Sequence, residues 1–341
     1  IWNGTSDFIQ DKQNEKSSLE LNEAFITYYG DRLNLYAGKM IIPNTLSTIY
    51  SPADLYEPED YHDPFNSQKL GMWALKLDYG SDDYTLTTAV MPVFRASKLP
   101  VRDSIWTTTD VDLVVNKPDI NVGNFSYLIR LNKTGGGYDL FGSAFYGLYS
   151  NYSLGISDSK DSLGIWPSLV LIDDPERLLQ FAAGFSTVHK NFEFHGEAVY
   201  NKNTEGVYNR YLSYVIGTTY TVNNPSALFM DSVILSLEYS GEWVHSRDTS
   251  GSFSNYLLEN GFLDNTLFYR LIMELNKNHA FTVTGGYHIS NRDSAAQLKW
   301  RYKVNEDCFI STALDTLSVN NPDNIIWEDN DRISVAFEYF F

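Results

Sequence analysis

The constraint that governs this 341-residue chain is a two-residue rhythm. From Asp331 to Phe341, Ile333, Val335, Phe337, Tyr339 and Phe341 are apolar and alternate with Arg332, Ser334, Ala336 and Glu338; only Phe340 breaks the pattern. A period of two belongs to a strand with one apolar and one polar face. The rhythm recurs upstream. Trp73, Leu75, Leu77 and Tyr79 oppose Ala74, Lys76 and Asp78. Phe125, Tyr127, Ile129 and Leu131 oppose Ser126, Arg130 and Asn132. Leu267, Tyr269, Leu271 and Met273 oppose Thr266, Arg270 and Glu274, and Leu298, Trp300 and Tyr302 oppose Gln297, Lys299 and Arg301. No run approaches the roughly 18 consecutive apolar residues of a spanning helix. The apolar faces either pack together in a soluble sandwich or face lipid. A mean hydropathy of −0.28 beside 15% aromatic residues fits lipid, because alternation hides apolar residues from averaged hydropathy.

The ending, a terminal Phe preceded by alternating aromatic and aliphatic residues, resembles the carboxyl-terminal signal of bacterial outer-membrane β-barrels. Leu21 to Met40, an acidic strand, a Gly-Asp turn and a closing Leu-x-Leu-x-x-Gly-Lys, is similar to the opening hairpins of porin-like outer-membrane families. The resemblance implies an all-β fold, a transmembrane antiparallel up-and-down β-barrel of a Gram-negative outer membrane, bathed in lipid and lipopolysaccharide. The loops agree. Short turns at Gly30-Asp31, Gly80 to Asp83, Gly135 to Gly137, Lys190-Asn191, Asn223 to Ser226, Lys277-Asn278 and Glu306-Asp307 alternate with long links at 43–67, 95–123, 150–178, 202–210, 246–264 and 320–330. Short turns on one side and long loops on the other are the asymmetry of such barrels. Counting back from Phe341 gives about fifteen strands, and an even number requires one more within Ile1 to Phe8. The expectation is sixteen strands, with fourteen as the fallback, because Pro167 demotes the strand-like stretch Gly164 to Ile172. Residues 1–341 are expected to form a single domain, and the lack of a leader-like opening reads as a mature or trimmed chain.

A single cysteine, Cys308, excludes an internal disulfide framework and a Cys-rich zinc site. A net charge of −18 argues against nucleic acid as a partner and predicts mild cation preference. The inward set predicted to line a lumen is Glu193, His195, Glu197, Glu238, Glu274, Arg130, Arg270, Lys299, Arg301 and Arg332. Glu193, His195 and Glu197 share one face and could ligate a metal, but charges of both signs all round favour a polar wall. The loop Pro52 to Phe65 gathers Asp54, Glu57, Glu59, Asp60 and Asp63 with His62. It is expected to be a constriction, a Ca²⁺ site or a solvated loop. Loops 43–67 and 95–123 are the ones expected to fold inward.

These readings lead to a channel for passive diffusion of small hydrophilic solutes or cations, as a single chain or a homotrimer. The alternative is a sleeve or scaffold whose lumen a partner protein fills. No enzyme is expected. His245 and Ser246 would point to opposite sides of a strand. His288 and Ser290 would point the same way, but no carboxylate at 286 or 292 extends their row. The Gly135 to Gly137 run reads as a turn, since no helix follows it.

Overall fold

Every segment of strict alternation becomes a strand. The computed structural model describes residues 2–11, 16–98, 112–115, 118–150, 154–160, 167–173, 175–203, 208–225, 230–247, 264–320 and 330–339. Sixteen strands build the main sheet: β1 (Trp2–Asp11), β2 (Lys16–Tyr29), β3 (Leu33–Met40), β4 (Met72–Gly80), β5 (Tyr84–Met91), β6 (Ser126–Gly135), β7 (Tyr138–Leu148), β8 (Arg177–His189), β9 (Phe192–Asn203), β10 (Tyr208–Asn223), β11 (Ser232–Arg247), β12 (Thr266–Asn276), β13 (His279–His288), β14 (Ser294–Lys303), β15 (Cys308–Ser318) and β16 (Arg332–Tyr339). Their order in space is their order in the chain, and each pairs antiparallel with the next.

Short turns close β2–β3, β4–β5, β6–β7, β8–β9, β12–β13 and β14–β15. Gly136, Gly137 and Lys190 take positive φ in them, as tight hairpins demand. The longest links, β3–β4 and β5–β6, lie at the other ends of the strands, where β13 and β14 are joined by only residues 289–293. One carries a two-stranded ribbon, Glu59–Asp60 with Gln68–Lys69. Two others contribute a separate three-stranded sheet of Asp112–Val115, Leu154–Lys160 and Pro167–Asp173. The doubtful stretch beginning near residue 164 therefore belongs to this accessory sheet, with Pro167 as the first residue of its strand. The link read from sequence as 202–210 is shorter than expected, because β9 runs to Asn203 and β10 starts at Tyr208.

The two faces of the main sheet are populated in reverse of a water-soluble protein. Ile26, Leu75, Ile129, Phe181, Ile216, Leu235 and Phe337 are exposed, and Val335 is 74% accessible. Gln180, His195, Asn201, Ser236 and Asp315 are buried on the opposite face, and Glu238 is 1% accessible. The sheet is also rolled. Glu23 on β2 accepts from the Ile41 amide, Glu57 from the Ile42 amide, and Asp63 pairs with Arg332 on β16. Six residues separate Glu57 from Asp63 and span at most about 22 Å. Along the sheet β2 and β16 are fourteen spacings apart, about 67 Å. Only a curved, barrel-like sheet brings both within reach of one short segment.

Candidate functional site: a strap held against the inner wall

The segment between β3 and β4 crosses the polar face of the sheet, and its first part, residues 43–51, is a strap without a strand partner. Buried amides there need acceptors from elsewhere. Two wall carboxylates supply them. Glu197 on β9 accepts from Leu46 N at 2.6 Å, Ser47 N at 2.9 Å, Thr45 Oγ1 at 2.7 Å and Ser51 Oγ at 2.8 Å. Glu238 on β11 accepts from Thr48 N at 2.7 Å, Ile49 N at 2.9 Å and Tyr50 N at 2.9 Å. A carboxylate offers about four lone-pair sites, and such charge-assisted bonds are roughly twice as strong as neutral ones. Two arginines hold the strap's carbonyls: Arg130 on β6 donates to Pro43 O and Arg270 on β12 to Thr48 O, both at 2.9 Å. Tyr50 packs on Phe268, with ring centroids 5.5 Å apart.

Glu238 is itself positioned by a neighbour two strands away. His195 on β9, fully buried, places Nε2 2.9 Å from Glu238 Oε1. Strand β10 runs between them, and the residue facing both is Gly217. A Cβ there would stand 2.5 Å from Glu238 Cγ and 2.5 Å from His195 Nε2. Gly184 on β8 gives Glu197 similar clearance, with a Cβ meeting Phe141 at 2.3 Å and Glu197 Cγ at 3.1 Å. The wall is thinned beside each anchor so that its carboxylate can lean over.

Beyond the strap, residues 52–66 turn back over an apolar floor. Tyr56 stacks on Phe145 at 4.6 Å and belongs to a buried cluster with Met40, Ile42, Met72, Met91, Leu128 and Leu178. The acidic residues do not converge. Asp54 accepts from Asn44 N at 2.6 Å and Glu57 from Ile42 N at 2.6 Å. Glu59 meets Lys69 at 3.3 Å, Asp60 meets His62 at 2.9 Å and Lys98 at 3.1 Å, and Asp63 meets Arg332. Among the described residues no three His, Cys, Asp or Glu side chains gather as a metal would require. Burial, and then the nearby Asp54 charge, push the Glu57 carboxyl up to about 8. Burial also raises Asp54, against the pull of Lys69. For Asp60 burial acts upward, yet the hydrogen bonds of His62 and Lys98 prevail and hold it at about 2. The Glu57 Oε2 atom is buried without a partner among the described residues, as suits a protonated acid.

The inward set expected from sequence thus divides. Glu197, His195 and Glu238 are buried beneath the strap, the two carboxylates accepting from its amides and His195 bonded to Glu238. Arg130 also serves the strap and lies over the Phe141 ring at 4.5 Å. Glu193 accepts from Ser186 and stays partly accessible, and Glu274 accepts from Ser232. Lys299 and Arg301 meet Glu338 at 3.6 and 3.0 Å, and Arg332 reaches Asp315 at 2.6 Å. Of the second loop expected inside, residues 99–111 and 116–117 lie outside the described residues; Lys98, near its start, is bonded to Asp60. The strap itself, PNTLSTIYS, carries no charge and gave no motif to single out.

No family model and no curated protein matches the sequence. Solved structures of similar fold are OmpT of Vibrio cholerae in its trimer form (7% identity, covering 100% of this chain and 86% of that one, TM-score 0.45). Others are a mutant of the Rh. blastica porin (11%, 93% and 88%, TM-score 0.43) and OccAB4 of Acinetobacter baumannii (9%, 96% and 77%, TM-score 0.49). The exclusion of an enzyme drawn from sequence does not stand: OmpT recurs among these structures, and a shared sheet architecture leaves activity open. Of the four side chains weighed for that exclusion, His288 Nδ1 accepts from Asn291 N and Ser290 Oγ from Asn265.

Proposed function

We propose that the sheet closes between β1 and β16 into a barrel that spans the outer membrane. In this reading it gives small hydrophilic solutes a passive, water-filled path that the strap narrows. The observation that carries the reading is the reversed distribution of residues. Exposed Ile, Leu, Phe and Val on the outer face are unfavourably hydrated in water, and contact with hydrocarbon removes that cost. The buried Ser, Gln, Asn, Glu and Asp of the inner face need hydrogen-bonding surroundings, which the strap and water supply. Sixteen strands enclose enough width for an aqueous channel. Supporting the path is the asymmetry of the strap, which is fastened along β6 to β12 and leaves the wall at β13 and β14 to solvent-accessible Thr, Gln, Lys and Arg side chains.

Single-channel recording of the detergent-purified chain in planar bilayers tests the reading. Stepwise conductance that is ohmic in KCl is the expected result. A sealed barrel with no current above background, or a chain that is monodisperse without detergent, would overturn it.

A further inference from the structure

One row of paired residues crosses the wall where the strap ends: Arg270, Thr284, Gln297, Asp315 and Arg332, on β12 to β16. The inward segment meets this row at both ends, through Arg270 on Thr48 and Arg332 on Asp63. Four strand spacings, about 19 Å along the sheet, separate the two arginines. Between them, Thr284 and Gln297 make no bond to residues 43–51 among the described residues, and Gln297 Nε2 donates to Asp315. On the channel reading, upon which this inference rests, solutes pass over Thr284 and Gln297.

We propose that Arg270 sets the charge preference of this opening, and that the favoured solutes are small anions such as carboxylates. Arg332 is answered by two carboxylates, Asp315 and Asp63. Arg270 is answered by none among the described residues; it donates to a carbonyl oxygen, and its Nε is buried without a partner. Further along β14, toward the short-turn end, Lys299 and Arg301 share the carboxylate of Glu338. Many of the carboxylates behind the net charge of −18 are engaged elsewhere. Glu197 and Glu238 hold strap amides, Glu59 meets Lys69, and Asp60 meets Lys98 and His62. In a narrow aqueous opening with low-dielectric walls, the charge nearest the path governs ion energies. A guanidinium without a counter-ion attracts anions there, which reverses the cation preference read from the whole-chain charge.

Reversal potentials in a KCl gradient, repeated with potassium acetate, test the assignment. The wild-type chain favours the anion. Arg270→Glu changes the local charge by two and shifts the anion-to-cation permeability ratio about fivefold toward cations. Arg270→Lys keeps the anion preference. Lys299→Glu, at a residue paired with Glu338 and not with the strap, shifts the ratio the same way by less, and amide exchange at 48–50 reports whether the strap stays seated in each variant. Cation preference in the wild type, or an unchanged ratio in Arg270→Glu, overturns the assignment and leaves the channel reading standing. Absence of current overturns both.

Discussion

From β6 to β11 the inner wall grips the strap, whereas from β12 to β16 the inward segment meets it at the two ends of a row. On the gripping side, polar wall residues are consumed by backbone amides. Glu197 and Glu238 together take five strap N–H groups, two hydroxyls and His195. On the other side, Lys299, Arg301 and Glu338 pair with one another in partly accessible positions. On the channel reading, inward direction alone therefore does not make a residue part of the path. What its charge is bonded to decides that.

The largest effect expected from this contrast is on the gripping side. Glu238→Ala leaves three part-buried amides without an acceptor, each costing at most about 1–3 kcal/mol. The strap lifts, single-channel conductance rises about twofold, and amides 48–50 exchange quickly; unchanged protection there would break the contrast. Gly217→Ala acts on the same anchor from outside the site. The added methyl overpacks the His195–Glu238 contact at a cost of about 1–3 kcal/mol, read as lower thermal stability with the strap loosened but present.

A pH effect comes next. The Glu57 carboxyl sits near 8 in the fold and near its ordinary value of 4.5 when unfolded. Its contribution is fully present below about 4.5 and is lost as pH rises through about 8. Residues 52–58 accordingly lose protection, relative to the intrinsic exchange rate at each pH, between pH 6 and pH 9, and Glu57→Gln, which mimics the protonated acid, removes that loss. The smallest effect belongs to the open side. Lys299→Ala, removing one arm of a partly exposed pair, changes stability by at most about 1 kcal/mol in a denaturation series.

The strands were legible because alternation is local: Leu267 to Glu274 announces both of its faces within eight residues. The inward direction of Glu197 and Glu238 was legible for the same reason. Their task was not, since the amides they hold lie 151 and 190 residues away in sequence. Gly217 carried no signal alone; its meaning arises from the register that sets it between His195 and Glu238. The acids of Pro52 to Phe65 suggested a cation site because their partners Lys69, Lys98 and Arg332 sit on other segments.

Which face of the sheet meets lipid decides whether this is a membrane barrel. Spin labels placed one at a time at residues 334 to 337 of β16, in a Cys308→Ser background and reconstituted in bilayers, measure this through collision rates with oxygen and with a water-soluble nickel chelate. A lipid-facing apolar row gives oxygen-dominated relaxation at Val335 and Phe337 and nickel-dominated relaxation at Ser334 and Ala336. The opposite phase, or equal access of nickel to all four positions, would contradict it.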